Sequence, residues 1–278
     1  MLTTSKQLFV RLALIVIVWY LGLAFLPQIA GTCLDGDCGF TGGEIILSLA
    51  IPVAIIAVSA LLDKWLDGKT VAQALSDTGL TRFSPTGIRV AALYLLPLLA
   101  FYPLFSLITN TPLSVQPNWP WLFLNVVLVN GLAEEIMMRG FVFRHLREGR
   151  PFWRAAVLST MYFAAYHVVL IFTAGPLIGI IAVIIAIPAG LLTSYVYEKG
   201  DNTIWGNALF HATYNAPALL LVFPADVQAA ASALYLLLGI AVSSLVLISA
   251  YRAGYGRGTS YTTRSTLRPA ASSESAAS

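Results

Sequence analysis

Eight stretches of this chain are apolar for long enough to cross a bilayer, and that feature constrains the fold more than any other. About 17–25 such residues span a hydrocarbon core of about 30 Å. The runs are Phe9–Leu26, Ile45–Leu62, Val90–Ile108, Trp121–Phe143, Ala155–Phe172, Pro176–Tyr197, Ile204–Phe223 and Ala229–Tyr251. In lipid a backbone must satisfy its own polar groups, so each run reads as a helix. Only 10% of the 278 residues are charged, far below the roughly 25% of a soluble domain. The expected fold is an all-α polytopic bundle of eight transmembrane helices in the cell membrane. Residues 1–252 form the bundle, with a motif-bearing core at about 120–223, and residues 253–278 form a disordered tail rich in Gly, Ser, Thr and Ala.

Basic residues give the orientation. Lys6, Arg11, Lys64, Lys69, Arg82, Arg89, Arg144, Arg147, Arg150, Arg154, Lys199, Arg252, Arg257, Arg264 and Arg268 all fall on one side of an eight-span chain. That side, with both termini, is cytoplasmic by the positive-inside rule. The first run lacks a small-residue cleavage site near "LPQIAG" and reads as a signal anchor. Cys33 and Cys38 share the first outer loop, where they either close a small disulfide or stand as two thiols. Trp119, Trp121 and Tyr20 suit the outer interface. The segment Arg144–Arg154, including His145, reads as an interfacial anchor for lipid headgroups, with attraction of an acidic substrate segment as the alternative. Pro97, Pro103 and Pro188 are expected to kink their helices, and Gly175 with Gly179 forms a GxxxG packing pattern. A net charge of +3 suggests no nucleic-acid partner.

The ionisable groups well inside the runs are few: Glu134, Glu135 and Arg139 in the fourth, His167 in the fifth, and His211 in the seventh. A charge at the centre of a span costs about 2.5–3.5 kcal/mol on insertion scales, so each needs a reason. At 1.5 Å per residue, Glu134 lies about 15 Å from the cytoplasmic end of its helix, His167 about 20 Å and His211 about 15 Å. Three helices thus bring polar groups to one layer. Glu135 and Arg139, spaced i,i+4, can pair on one face. Glu134, rotated about 100° from Glu135, is left to face a cavity. His211 and Asn215 share a face of their helix, and Phe163 stands one turn before His167.

A carboxylate, two imidazoles and an amide suit the activation of water with stabilisation of an oxyanion. Glu134, His167 and His211 equally form a possible zinc set with a fourth position for water. A proton- or ion-coupled transporter is a third reading, although no inverted repeat of broken helices is visible.

These residues carry a resemblance. "AEEIMMRG" (Ala133–Gly140) resembles the EExxxR motif, "FAAYH" (Phe163–His167) the FxxxH motif and "HATYN" (His211–Asn215) the HxxxN motif of the CPBP intramembrane proteases, the type II CAAX prenyl endopeptidase and abortive-infection-like family. Met138 stands where many relatives have Phe, and methionine fills similar apolar space. The resemblance implies a membrane bundle with a cavity open to the cytoplasm and a peptide or membrane-anchored protein as substrate. It implies that Glu134 and His167 activate water, that His211 and Asn215 hold the oxyanion, and that Glu135 and Arg139 support them. Relatives have been described both as metalloproteases and as metal-independent glutamate proteases. The pairing of Glu135 with Arg139 makes Glu135 a poor base and favours the metal-free mechanism. A non-catalytic immunity or scaffold member of the same fold is a further possibility.

Overall fold

The computed structural model describes residues 5–30, 42–173 and 175–257; Cys33, Cys38 and residues 258–278 lie outside the described residues. The chain is a bundle of helices: α1 Ser5–Ala30, α2 Gly42–Asp67, α3 Val71–Asp77, α4 Pro85–Thr109, α5 Trp119–Arg147, α6 Phe152–His167, α7 Val169–Thr173, α8 Pro176–Lys199, α9 Trp205–Leu220 and α10 Ala225–Arg252. The only strands among the described residues are two-residue pieces. β1 Ser114–Val115 pairs antiparallel with β2 Leu221–Val222.

Six helical segments are long and apolar enough to cross a membrane: Leu49–Asp67, Pro85–Thr109, Trp119–Arg147, Phe152–Phe172, Pro176–Lys199 and Ala225–Arg252. The chain is thus a multi-pass membrane protein. Its periphery fits that setting, because Leu107, Ile108 and Phe172 are each at least 77% exposed and would be costly in water. The helix α9 has only 16 residues, about 24 Å at 1.5 Å per residue, and the chain continues past it as β2.

Local chemistry sets several boundaries. A capping box opens α3, with the Thr70 hydroxyl accepting from Gln73 N–H and the Gln73 side chain accepting from Thr70 N–H. Ser84 caps α4 ahead of Pro85, where the missing proline N–H is harmless. Pro97, Pro103 and Pro188 lie inside α4 and α8 as expected, joined by Pro52 in α2 and Pro217 in α9. Gly179 does act in packing: a Cβ there would sit 2.2 Å from the Ile171 backbone nitrogen, so α7 and α8 meet only because the side chain is absent. Gly140 plays the same part between α5 and the end of α3, where a Cβ would lie 2.6 Å from Thr78 O.

Two apolar clusters flank the centre. One joins α1, α2, α5 and α6 through Ile15, Ile55, Ile136, Phe141 and Ala155. The other joins α4, α8, α9 and α10 through Leu95, Leu192, Phe210 and Tyr235. The polar residues of α5, α6 and α9 lie between them.

The first part of the segment expected to anchor in lipid headgroups turns inward instead, while Arg154 is exposed. Arg144, His145 and Arg147 are buried. Arg144 pairs with Asp63 at 2.6 Å and with Asp77 at 3.6 Å, and His145 Nε2 lies 3.1 Å from Asp63. Arg147 grips Glu198 on α8 through Nε at 3.0 Å and NH2 at 3.2 Å. Arg11 pairs with Asp67, and Lys69 reaches Asp63, Asp67 and Asp77. Carboxylates at the ends of α2 and α3 are the partners of Arg11, Lys69 and Arg144, and one near the end of α8 is the partner of Arg147. Asp63, Asp67 and His145 bring three ligand-type atoms within 4.8 Å of one another. Three cations already balance the three carboxylates, so this cluster is an ionic clasp joining α1, α2, α3 and α5. The chain also stays on the bundle past α10, where disorder was expected to begin. Ala253–Arg257 turns back, Trp153 Nε1 donates to Tyr255 O at 2.7 Å, and the Tyr255 ring packs on Phe152 and Tyr195.

Candidate active site

The helix carrying the two glutamates departs from α geometry. It is α-helical over Trp119–Asn125, then π-helical over Val126–Ala133 and again over Ile136–Phe143. Glu134 N–H accordingly bonds Val129 O, five residues back. Such wide turns are rare and tend to occur at functional sites. Glu134 and Glu135 stand between the two π segments with ordinary helical dihedrals, φ −64°, ψ −41° and φ −72°, ψ −36°.

Glu134 and Glu135 do not point to separate places. Both reach the His211 imidazole: Nδ1 lies 2.7 Å from Glu135 Oε1, and Nε2 lies 3.8 Å from Glu134 Oε2. Because a carboxylate only accepts, His211 Nδ1 carries the hydrogen, and Nε2 is the nitrogen left for other chemistry. Glu135, rather than Glu134, contributes to the cavity wall.

Glu135 is fully engaged. Its Oε1 accepts from Arg139 NH1 at 3.2 Å as well as from His211, and its Oε2 accepts from Asn207 Nδ2 at 3.0 Å. The pairing of Glu135 with Arg139 therefore forms as the i,i+4 spacing predicts. Arg139 also donates from NH2 to Gly190 O at 3.0 Å, and its guanidinium lies 4.9 Å from the centre of the Phe163 ring. Asn207 shares its amide group with Thr193 O at 2.6 Å. Glu134 is poorly engaged by comparison. Oε1 accepts from Asn130 Nδ2 at 2.7 Å, while Oε2 is buried with no hydrogen-bond partner.

His167 Nδ1 lies 2.7 Å from Phe163 O, so Nδ1–H donates to that carbonyl and Nε2 presents a lone pair. Phe163 stacks edge-on to both histidines, with ring centroids 4.6 Å from His167 and 6.0 Å from His211. A cavity of about 620 Å³ opens beside these groups, and Asn130, Glu135, Phe163, His167, His211 and Asn215 all line it. Much of its remaining wall is apolar, from Ala182, Ala186 and Ala189 of α8 to Leu236 of α10, with Thr193, Tyr214, Ser232 and Tyr235 among the rest.

Glu134, His167 and His211 do not have three ligand-type atoms gathered within 4.8 Å of one another in this structure. Among the described residues only Asp63, Asp67 and His145 gather three ligand-type atoms within 4.8 Å, whereas ligands about 2.0–2.2 Å from one zinc must lie that close together. Asn130 and Asn207 were not among the residues singled out from the sequence. A signal was present: Asn130 precedes Glu134 by four residues and Asn207 precedes His211 by four, and both lie in apolar runs.

The fold and site define a multi-pass helical membrane protein with a buried Glu–His cluster beside a cavity. Residues 116–217 match the family model described as type II CAAX prenyl endopeptidase Rce1-like. The matched segment carries all three motifs, Glu134–Arg139, Phe163–His167 and His211–Asn215. No curated protein matches the chain.

Proposed function

We propose that the protein is an intramembrane endopeptidase in which Glu134 activates the attacking water without a metal ion. The observation that carries this reading is Glu134 Oε2, a buried carboxylate oxygen of the site with no hydrogen-bond partner. Glu135, with three donors, has no comparable capacity to take a proton. Water placed at the cavity edge gives a proton to Glu134 and attacks the carbonyl carbon of the scissile bond. His167 Nε2, an acceptor, orients that water. The His211 ring, with one carboxylate facing each nitrogen, acts as the imidazolium, so that Nε2–H and the Asn215 amide donate to the oxyanion. Collapse of the tetrahedral intermediate breaks the C–N bond, and Glu134 returns its proton to the departing amine. Glu135 and Arg139 fix the His211 ring and seal the site behind Phe163.

The proposed architecture has eight membrane helices, with α1 and α9 joining the six apolar segments, both ends of the chain cytoplasmic and the cavity open to that side. The substrate is a membrane-anchored protein or peptide. The test uses full-length protein in detergent with a quenched fluorescent peptide ending in a prenylated cysteine and three further residues, beside its unprenylated form. Cleavage that disappears in His167→Ala and Asn215→Ala supports the reading. Electrogenic flux in proteoliposomes with no cleavage of either peptide replaces it with transport.

A further inference from the structure

We infer that Asn130 is the positioning residue of the proposed base, an inference that rests on Glu134 acting as that base. The Asn130 side chain lies beside the Glu134 carboxylate, with Nδ2 2.7 Å from Oε1. That is the short distance of a hydrogen bond to an ionised acceptor. A carboxylate offers no hydrogen, so the amide must present its NH2 group there and turn its carbonyl oxygen away. Asn130 also forms part of the cavity wall with His167 and Asn215, so its position bears on where a reacting water can lie.

The contact decides what Glu134 can do. Glu135 is held by Arg139, His211 and Asn207, but Asn130 supplies the hydrogen bond that holds Glu134. On the other side, His211 Nε2 stands 3.8 Å from Glu134 Oε2, just beyond hydrogen-bond distance. A shift of about 1 Å would bring Oε2 to about 2.8 Å from Nε2 and close a charge-assisted bond. That movement would occupy the free oxygen and the oxyanion donor together. By fixing Oε1, Asn130 keeps the two groups apart and leaves both available. An amide that served packing alone would be an expensive choice at this depth, since leucine has nearly the same shape and no polar group to satisfy.

Two variants separate these roles in the full-length protein. Asn130→Leu keeps the volume and removes all polarity, while Asn130→Asp keeps the shape and removes the donor. With the prenylated fluorescent peptide as probe, both are expected to lower kcat by roughly 10- to 100-fold, the value of a hydrogen bond to a charged group. KM should stay within about twofold in both variants, a split expected of a group acting through the base. Asn130→Gln, which retains an N–H donor, should lose less than either. The second readout needs no turnover. The infrared carboxylate band of Glu134, assigned by subtracting the spectrum of Glu134→Gln, should move in Asn130→Leu. Wild-type kcat in Asn130→Leu, a loss confined to KM, or an unmoved Glu134 band would each overturn the inference. If the unmodified protein cleaves neither peptide, the protease reading fails, and the infrared band alone decides whether Asn130 positions Glu134.

Discussion

Replacing Arg139 by methionine isolates the largest electrostatic element of the site. The guanidinium is 1% exposed and Glu135 is fully buried, so their 3.2 Å pair is shielded from water. Removing one member of a buried pair strands the other charge and costs about 3–5 kcal/mol. The second bond of Arg139, to Gly190 O, adds little to that figure. Ser194 Oγ at 2.9 Å and Thr193 Oγ1 at 3.2 Å also donate to this carbonyl, so it does not become an orphan. Loss of the guanidinium from the Phe163 face adds about 1–2 kcal/mol at most. Replacing both partners, as Glu135→Gln with Arg139→Met, removes the stranded charge. The glutamine can still receive Asn207 or His211, so the double variant should be less destabilised than Arg139→Met by at least about 1.5 kcal/mol. Reversible unfolding in mixed detergent micelles measures all three variants. A loss below about 1 kcal/mol for Arg139→Met, or additive losses in the pair, would refute the buried-pair reasoning.

The ionic clasp gives a second expectation: Arg144→Gln should lower stability by about 3–5 kcal/mol while leaving binding to anionic vesicles unchanged. Weakened vesicle binding with unaltered stability would restore a headgroup role. Asn207→Leu frees Glu135 Oε2 and Thr193 O and should cost about 1–3 kcal/mol, with a fall in kcat as His211 loses its orientation; thermal midpoints and turnover check the two parts. Treatment with a strong chelator should leave peptide cleavage unchanged. Loss of activity that zinc restores would reinstate a metal mechanism.

The helical membrane architecture and the three motifs were legible because both depend on local information. Apolar runs register length, and i,i+4 spacing registers one helix face, so Glu135–Arg139 and the placement of Phe163 beside His167 follow from short segments. What escaped depends on distant partners. Arg144 and His145 look interfacial at the end of a run, and only the fold brings Asp63 and Asp67 from α2 to meet them. The angle between Glu134 and Glu135 read as two separate destinations, whereas the His211 imidazole from another helix stands between them, 2.7 Å from Glu135 and 3.8 Å from Glu134. Asn207 stands near the start of α9, and nothing in its own segment shows the carboxylate on another helix that it serves.

The central claim is that two adjacent glutamates have different duties, with Glu134 as base and Glu135 as scaffold. The direct measurement is kcat and thermal midpoint for Glu134→Gln beside Glu135→Gln, using the prenylated peptide and full-length protein. The account predicts that Glu134→Gln lowers kcat by roughly 10²–10⁴-fold, the contribution of a general base, with no loss of thermal stability because Oε2 has no partner to lose. Glu135→Gln should destabilise the protein through Arg139, His211 and Asn207. Turnover of Glu134→Gln within tenfold of the unmodified protein would contradict the account.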